Sequence, residues 1–290
     1  MVVMLLAVCI WAPAQELERE GPFEKLVLLR GADADSWSEA EATMTPDTTR
    51  VKTADASHHF HIDVDFNAGE KAYPIGWPRT NVALKQPWQQ DWTGFDFLRF
   101  WVYTKTSRDA LPSAPLGIVL HTPTRASSHH DTVLGLKQDE WVEVRIPLSK
   151  IANHDQVTLF QFFIAESNYR DHDVVDFHID DICLLRYAEP HVIDATMRPP
   201  VVFSDAAAFV MRLQLSGIAE GEHVKATVSL EQDGQTLTTV ARDVTRGTND
   251  IVVNLSGSDL PVGDYRLKAS LAGGDSRDFE LKVIESPWAE

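Results

Sequence analysis

Alternation with a period of two runs through most of this chain. It appears in "HFHIDVDF" (59–66), "FLRFWVYT" (97–104), "LGIVLHT" (116–122), "WVEVRIPL" (141–148), "TLFQFFIAES" (158–167) and "FHIDDICLL" (177–185). Successive side chains of a strand point to opposite faces, so such runs fit half-buried strands and not helices. Segments rich in Pro, Gly, Asp or Ser separate them. Many short strands spaced this way predict an all-β fold built from antiparallel sandwiches.

The length of 290 residues suits two domains. The texture changes near "HVIDATMRPP" (191–200), after which the alternation is cleaner and Trp is rare. Residues 22–190 are therefore expected to form one sandwich, 191–199 a linker and 200–286 a second sandwich of immunoglobulin-like size. Asp233-Gly234 is a strong two-residue hairpin signal. Tyr265, in "LPVGDYRL", is placed to pin a corner of the second sandwich through its hydroxyl.

The N-terminal "MVVMLLAVCIWAPA" is apolar, too short to span a bilayer, and ends in a small-x-small pattern. It is read as a signal peptide, residues 1–14, which predicts a secreted or periplasmic protein with no membrane insertion. Removing it takes Cys9 and leaves Cys183 alone, so no intrachain disulfide is expected, and Cys183 reads as a buried inert thiol. A net charge of −17 argues against nucleic acid or an anionic membrane as partner.

"DFHIDDICLL" (176–185) poses a problem. It reads as a core strand, yet it carries Asp176, Asp180 and Asp181. Buried carboxylates need a cation or hydrogen bonds to replace lost solvation.

The order of "GADADSW", "DWTGFDFLRFWVY", "EWVEVRIPLSKI", "FQFFIAESN" and "FHIDDICLL" resembles the jelly-roll carbohydrate-binding modules of the galactose-binding-like type. The resemblance spans nearly the whole first domain. It implies a jelly roll that docks polysaccharide or oligosaccharide in a concave groove. It also implies a structural calcium held by Asp180 and Asp33, a role suited to carboxylates from distant segments. With an immunoglobulin-like module behind it, the arrangement is similar to accessory regions of secreted multidomain glycoside hydrolases. A catalytic domain C-terminal to this chain is then expected as a partner.

Sugars offer apolar C–H faces to aromatic planes and hydroxyls to polar groups. Of eight Trp, six lie in the first domain. Trp37 and Trp141 have core counterparts in the family, and Trp92 is open between core and platform. Tyr73, Trp77 and Trp88 sit in the Pro-bounded turns of "YPIGWPRTNVALKQPWQQDW" (73–92) and are candidate platforms. Alternation puts Leu98, Phe100 and Val102 on one face and Arg99, Trp101 and Tyr103 on the other, the second set expected to line the groove. His121 and Glu166 complete the candidate ligand contacts.

His58, His59, His61, Asp63 and Asp65 invite a zinc reading. Residues i and i+2 of a strand lie about 6.5–7 Å apart, so two ligands converge and not four. Solvated surface is the reading preferred here, as it is for His129-His130-Asp131 in a Ser-rich loop. No nucleophile elbow, phosphate loop or paired CxxC motif occurs in the sequence, and no catalytic residue is assigned.

The alternative is a glycosidase or lyase with its site on the concave face. Glu166 with Asp63 or Asp65 would supply carboxyls roughly 5–10 Å apart, or Tyr103 or Tyr169 would act with a His. A third class, an adhesion or scaffold protein, would use the same fold without stacking aromatics.

Overall fold

The computed structural model describes residues 17–53, 55–68, 76–124, 128–255 and 260–288. The expected signal peptide with Cys9, and Tyr73, lie outside them. The molecule is all-β. The first sandwich contains β1 (Glu18–Glu20), β2 (Phe23–Leu29), β3 (Ser38–Ala40), β4 (Thr43–Asp47), β5 (Ser57–Asp63), β6 (Arg79–Ala83), β7 (Phe97–Thr106), β8 (Leu116–His121), β9 (His129–Val133), β10 (Trp141–Pro147), β11 (Leu159–Phe163) and β12 (Val174–Tyr187). One helical turn, α1 (Pro87–Gln90), follows β6.

The chain crosses repeatedly between two sheets, as a jelly roll does. The front sheet has the order β3-β6-β11-β8-β9. The back sheet is organised by the long strand β12. One edge of β12 pairs first with β5 and then with β2, while the other pairs with β7, which pairs with β10. The register shifts between Asp180 and Cys183, and Asp181 adopts φ 53°. This bulge re-aims the following side chains.

Alternate residues of each strand fill the space between the sheets. Phe60, Leu98, Phe100, Val102, Ile118, Phe160, Phe162, Phe177 and Ile179 are all fully buried there. Each such side chain contributes roughly 1.5–3 kcal/mol of burial. Trp92 and Trp37 belong to this core, at 0% and 7% exposure. The Trp92 indole N–H donates to the Gln89 carbonyl at 2.6 Å. Trp141 is half-buried and faces outward from the back sheet beside Tyr103, contrary to its expected core place.

The second sandwich contains β13 (His191–Arg198), β14 (Val202–Phe203), β15 (Ala208–Ser216), β16 (Val224–Gln232), β17 (Gln235–Val244), β18 (Gly247–Asn254), β19 (Gly263–Leu271) and β20 (Ser276–Ile284). Its sheets are β13-β15-β18 and β14-β20-β19-β16-β17, around a core of their own. The expected linker is a correction: His191–Arg198 form β13 and pair with β15. Its alternating "HVIDATMR" buries Val192 on the core side, so strand pairing offsets the Pro-rich signal that follows. Gln232 pairs with Gln235 across a turn with Asp233 at φ 50° and Gly234 at φ 78°, both positive as a type I′ hairpin requires. The Tyr265 hydroxyl donates to the Pro261 carbonyl at 2.7 Å.

Among the described residues, no helix is long and apolar enough to cross a membrane.

Candidate ligand-binding face

The carboxylates of β12 are each compensated by protein groups. Asp176 Oδ1 lies 2.8 Å from both His59 Nε2 and His61 Nδ1. Those contacts hold its carboxyl well down, to about 2, with the His59 bond the largest cause. Asp180 is buried, and it accepts backbone N–H bonds from Lys52 at 2.6 Å, Thr53 at 3.0 Å and Asp181 at 2.6 Å. Asp181 pairs with Arg99 and with Lys25.

That donor set tests the expected calcium site. A calcium ion needs six to eight oxygen ligands around it. Three N–H groups aimed at Asp180 make its carboxylate the acceptor in a loop anchor. Asp33 is exposed in a 3-10 turn and accepts from its neighbour Arg30 N at 3.2 Å. The two residues do not fit a shared ion.

The predicted groove residues divide between opposite outer faces. Trp101 and Tyr103 do share the outer face of the back sheet with Arg99, as alternation required. Arg99, however, is 3% exposed and tied to Glu20 and Asp181, so it is unavailable to a ligand. Its guanidinium lowers the Glu20 pKa through their hydrogen bond. Beside it, burial pushes the Cys183 thiol up to about 12, which makes it inert. Trp101 and Tyr103 each give a ring face to the protein's own cations. Lys52 Nζ lies 4.2 Å from the Trp101 centroid, and the Arg50 guanidinium 4.1 Å from that of Tyr103. A sugar would have to displace both.

His121 lies on the other side of the molecule, on the outer face of the front sheet. Strand register sets Asn81 of β6 opposite Gln161 of β11, and Gln161 opposite Val119 of β8. Phe160 and Phe162 point into the core, so Gln161 points out. Gln161 is only 5% exposed, yet its Nε2 has no hydrogen-bond partner. Asn81 Oδ1 is likewise buried and unpartnered. Gln161 Oε1 is met by His121 Nε2 at 3.3 Å. An amide donor and an amide acceptor thus lie side by side just beneath this face, with imidazole next to them, and a ligand reaches them only when the side chains above them turn aside. Leaving such groups unmet costs about 1–3 kcal/mol each.

An aromatic edge borders these groups. The Phe163 ring, half-buried, lies against Gly117, where a Cβ would come within 2.2 Å of its Cζ. Trp77 packs edge-on to Phe163 at 5.7 Å, and the Arg79 guanidinium lies 5.1 Å from the Trp77 ring. Two glutamates fix Trp77 in place. Trp77 N donates to Glu41 Oε2 at 2.7 Å, and Gly76 N to Glu166 Oε2 at 2.6 Å. Gly76 is required there, since a Cβ would meet both carboxylates. Glu166 is therefore a correction. It is 3% exposed and holds the backbone N–H groups of Gly76 and Asp65, and burial raises its pKa. Trp88, in α1, packs against the core, away from this edge.

Asn81, Gln161 and Phe163 were missed in the sequence. The one available signal was a lone amide among phenylalanines in "LFQFFI". His129-His130-Asp131 belong to β9 and not to a loop; His130 lies across from Val119 on this face, 6.4 Å ring to ring from His121.

A cleft of about 860 Å³ lies elsewhere, where the sandwiches meet. Arg246 and Asp96 in its wall satisfy one another, as do Arg186 and Glu24. Arg246 donates to Thr93 O and Phe95 O at 2.8 Å and pairs with Asp96, which also accepts from Tyr187 N.

No family model and no curated protein sequence matches the chain. Among solved structures, the chain is similar to a family 11 carbohydrate-binding module from Clostridium thermocellum in complex with a beta-1,3-1,4-mixed-linked tetrasaccharide. The identity is 12%, coverage 51% of this chain and 88% of that one, and the TM-score 0.35. A CBM22 tandem domain from Paenibacillus barcinonensis Xyn10C gives 10% identity, 91% coverage of both chains and a TM-score of 0.35. A beta-glucuronidase of glycoside hydrolase family 2 gives 8% identity and a TM-score of 0.30; 92% of this chain spans 31% of that one. At these TM-scores the likeness carries no argument for function.

Proposed function

We propose that this protein binds carbohydrate on the outer face of the front sheet of its jelly roll. The observation that carries the reading is the buried, unpartnered pair Gln161 Nε2 and Asn81 Oδ1. A sugar hydroxyl both donates and accepts, so once the side chains covering them turn aside, one or two neighbouring hydroxyls would satisfy both amides. Trp77 and Phe163 supply the apolar edge against which a sugar C–H face packs. A shallow face buries modest area, so affinity per site is modest.

Within this reading the second sandwich is an immunoglobulin-like spacer. The chain is secreted, in keeping with its apolar N-terminal run, and serves beside a catalytic domain rather than cleaving glycans itself. Affinity electrophoresis against a panel of soluble polysaccharides tests the binding. Retardation by at least one glycan is expected, with Gln161→Ala weakening it about 3- to 10-fold, the worth of one or two hydrogen bonds. No retardation by any glycan, or full binding by Gln161→Ala with Trp77→Ala, would overturn the reading. Release of sugar ends by the isolated chain would favour the hydrolytic alternative.

A further inference from the structure

The back sheet carries a different constellation. His59 and His61 sit two residues apart on β5, and β12 places Asp176 directly across from His61. The three residues offer donor atoms that all lie within 4.8 Å of one another. Both imidazoles converge on one carboxylate oxygen at 2.8 Å. The rings are held from outside. His178 stacks on His59 at 4.5 Å and 5°, and Asp63 Oδ2 lies 3.5 Å from His61 Nε2. Without metal, His61 Nδ1 donates to Asp176; on metal binding the proton would be held at Nε2 by Asp63, and Nδ1 would become the ligand atom.

We propose that His59, His61 and Asp176 form a binding site for a transition-metal dication, with zinc the best match. Two imidazoles and a carboxylate are ligands zinc takes, and tetrahedral bonds of 2.0–2.2 Å put donors about 3.4 Å apart. The two 2.8 Å contacts to Asp176 would lengthen by about 0.6 Å to reach that spacing. The three side chains are 26%, 33% and 22% exposed, so water reaches the fourth position. Lys105 of β7 lies across from Asp176 but is exposed and free to turn into solvent. Calcium is disfavoured, since it needs six to eight oxygens and meets one carboxylate here. The site is independent of the sugar-binding face, which lies on the other sheet.

The spacing of histidines on one strand could not disclose it, because the third ligand comes from a strand more than a hundred residues later.

Calorimetric titration of zinc into the full chain, stripped with chelator and exchanged into metal-free buffer, tests the proposal. One saturable site is expected, with a visible absorption band of tetrahedral geometry when cobalt replaces zinc, and with no competition from calcium. His59→Gln/His61→Gln abolishes both signals, and Asp176→Asn weakens zinc at least 10-fold, the lower range for loss of even an outer partner. His121→Gln/His130→Gln, on the other sheet, leaves them intact. Circular dichroism confirms that each variant is folded; if the double variant unfolds, Asp176→Asn decides. Absence of saturable zinc binding, or binding unchanged in the folded cluster variants, would overturn the proposal.

Discussion

Asp180, inside the bulge of β12, accepts the backbone N–H of Lys52 at 2.6 Å and so fastens the segment that lays cations over the back sheet. The same carboxylate takes the N–H groups of Thr53 and Asp181. Asp180→Ala strands three donors, two of them on the Lys52–Thr53 segment. A stability loss on the order of 3 kcal/mol is expected in urea denaturation, and excess calcium should leave the wild-type melting temperature unchanged. A calcium-dependent rise that Asp180→Ala abolishes would show that the carboxylate serves an ion instead.

His58 sets a pH dependence. It is buried beside Trp37, with neither ring nitrogen partnered, and burial lowers its pKa to about 4, against the opposing pull of Asp180 and Asp33. The folded value lies below the unfolded value of about 6.5. The unfolded chain therefore binds the extra proton, and stability falls as pH drops from about 6.5 towards 4. His58→Phe should flatten that slope and raise stability at pH 5 relative to wild type. Denaturation midpoints at pH 5 and 7.5 check this; equal slopes for both proteins would contradict it.

Asp96 and Arg246 join the two sandwiches. The Asp96 side chain is 5% exposed, and Arg246 spans it and two carbonyls of the first sandwich. Arg246→Ala should cost about 1.5–3 kcal/mol of coupling, as a charge-assisted bond does, and separate one calorimetric transition into two. A single unchanged transition would place the coupling elsewhere.

Gly117→Ala should disturb the proposed sugar-binding face without touching its polar groups. Its methyl occupies the space of the Phe163 ring, which must swing out. Glycan affinity should fall while the melting temperature changes by less than for a core substitution. Unchanged affinity would remove Phe163 from the binding edge.

The strand runs were legible because one face of each is buried: 97–104 became β7 with Leu98, Phe100 and Val102 inside, and Asp233-Gly234 became its hairpin. Which outer face is open was not legible. The Arg50–Thr53 segment, which covers Trp101 and Tyr103, has no periodicity that would place it. Arg99 reads as a surface residue by alternation, but Glu20 and Asp181 bury it. Gln161 hid in an aromatic run, because its partner Asn81 belongs to a strand far away in the chain. Trp141 follows family expectation only in its strand; its side chain is on the outer face. Pairings between distant strands decided each of these outcomes, and alternation within one strand does not encode them.

Side-chain amide signals offer the most direct test of the proposed sugar-binding face. With the amides of Gln161 and Asn81 assigned by single substitution, titration with a bound oligosaccharide should shift both, together with Phe163 and His121 but not Trp101, Tyr103 or Trp141. Shifts confined to the Trp101–Tyr103–Trp141 face, with both amides unmoved, would contradict the account.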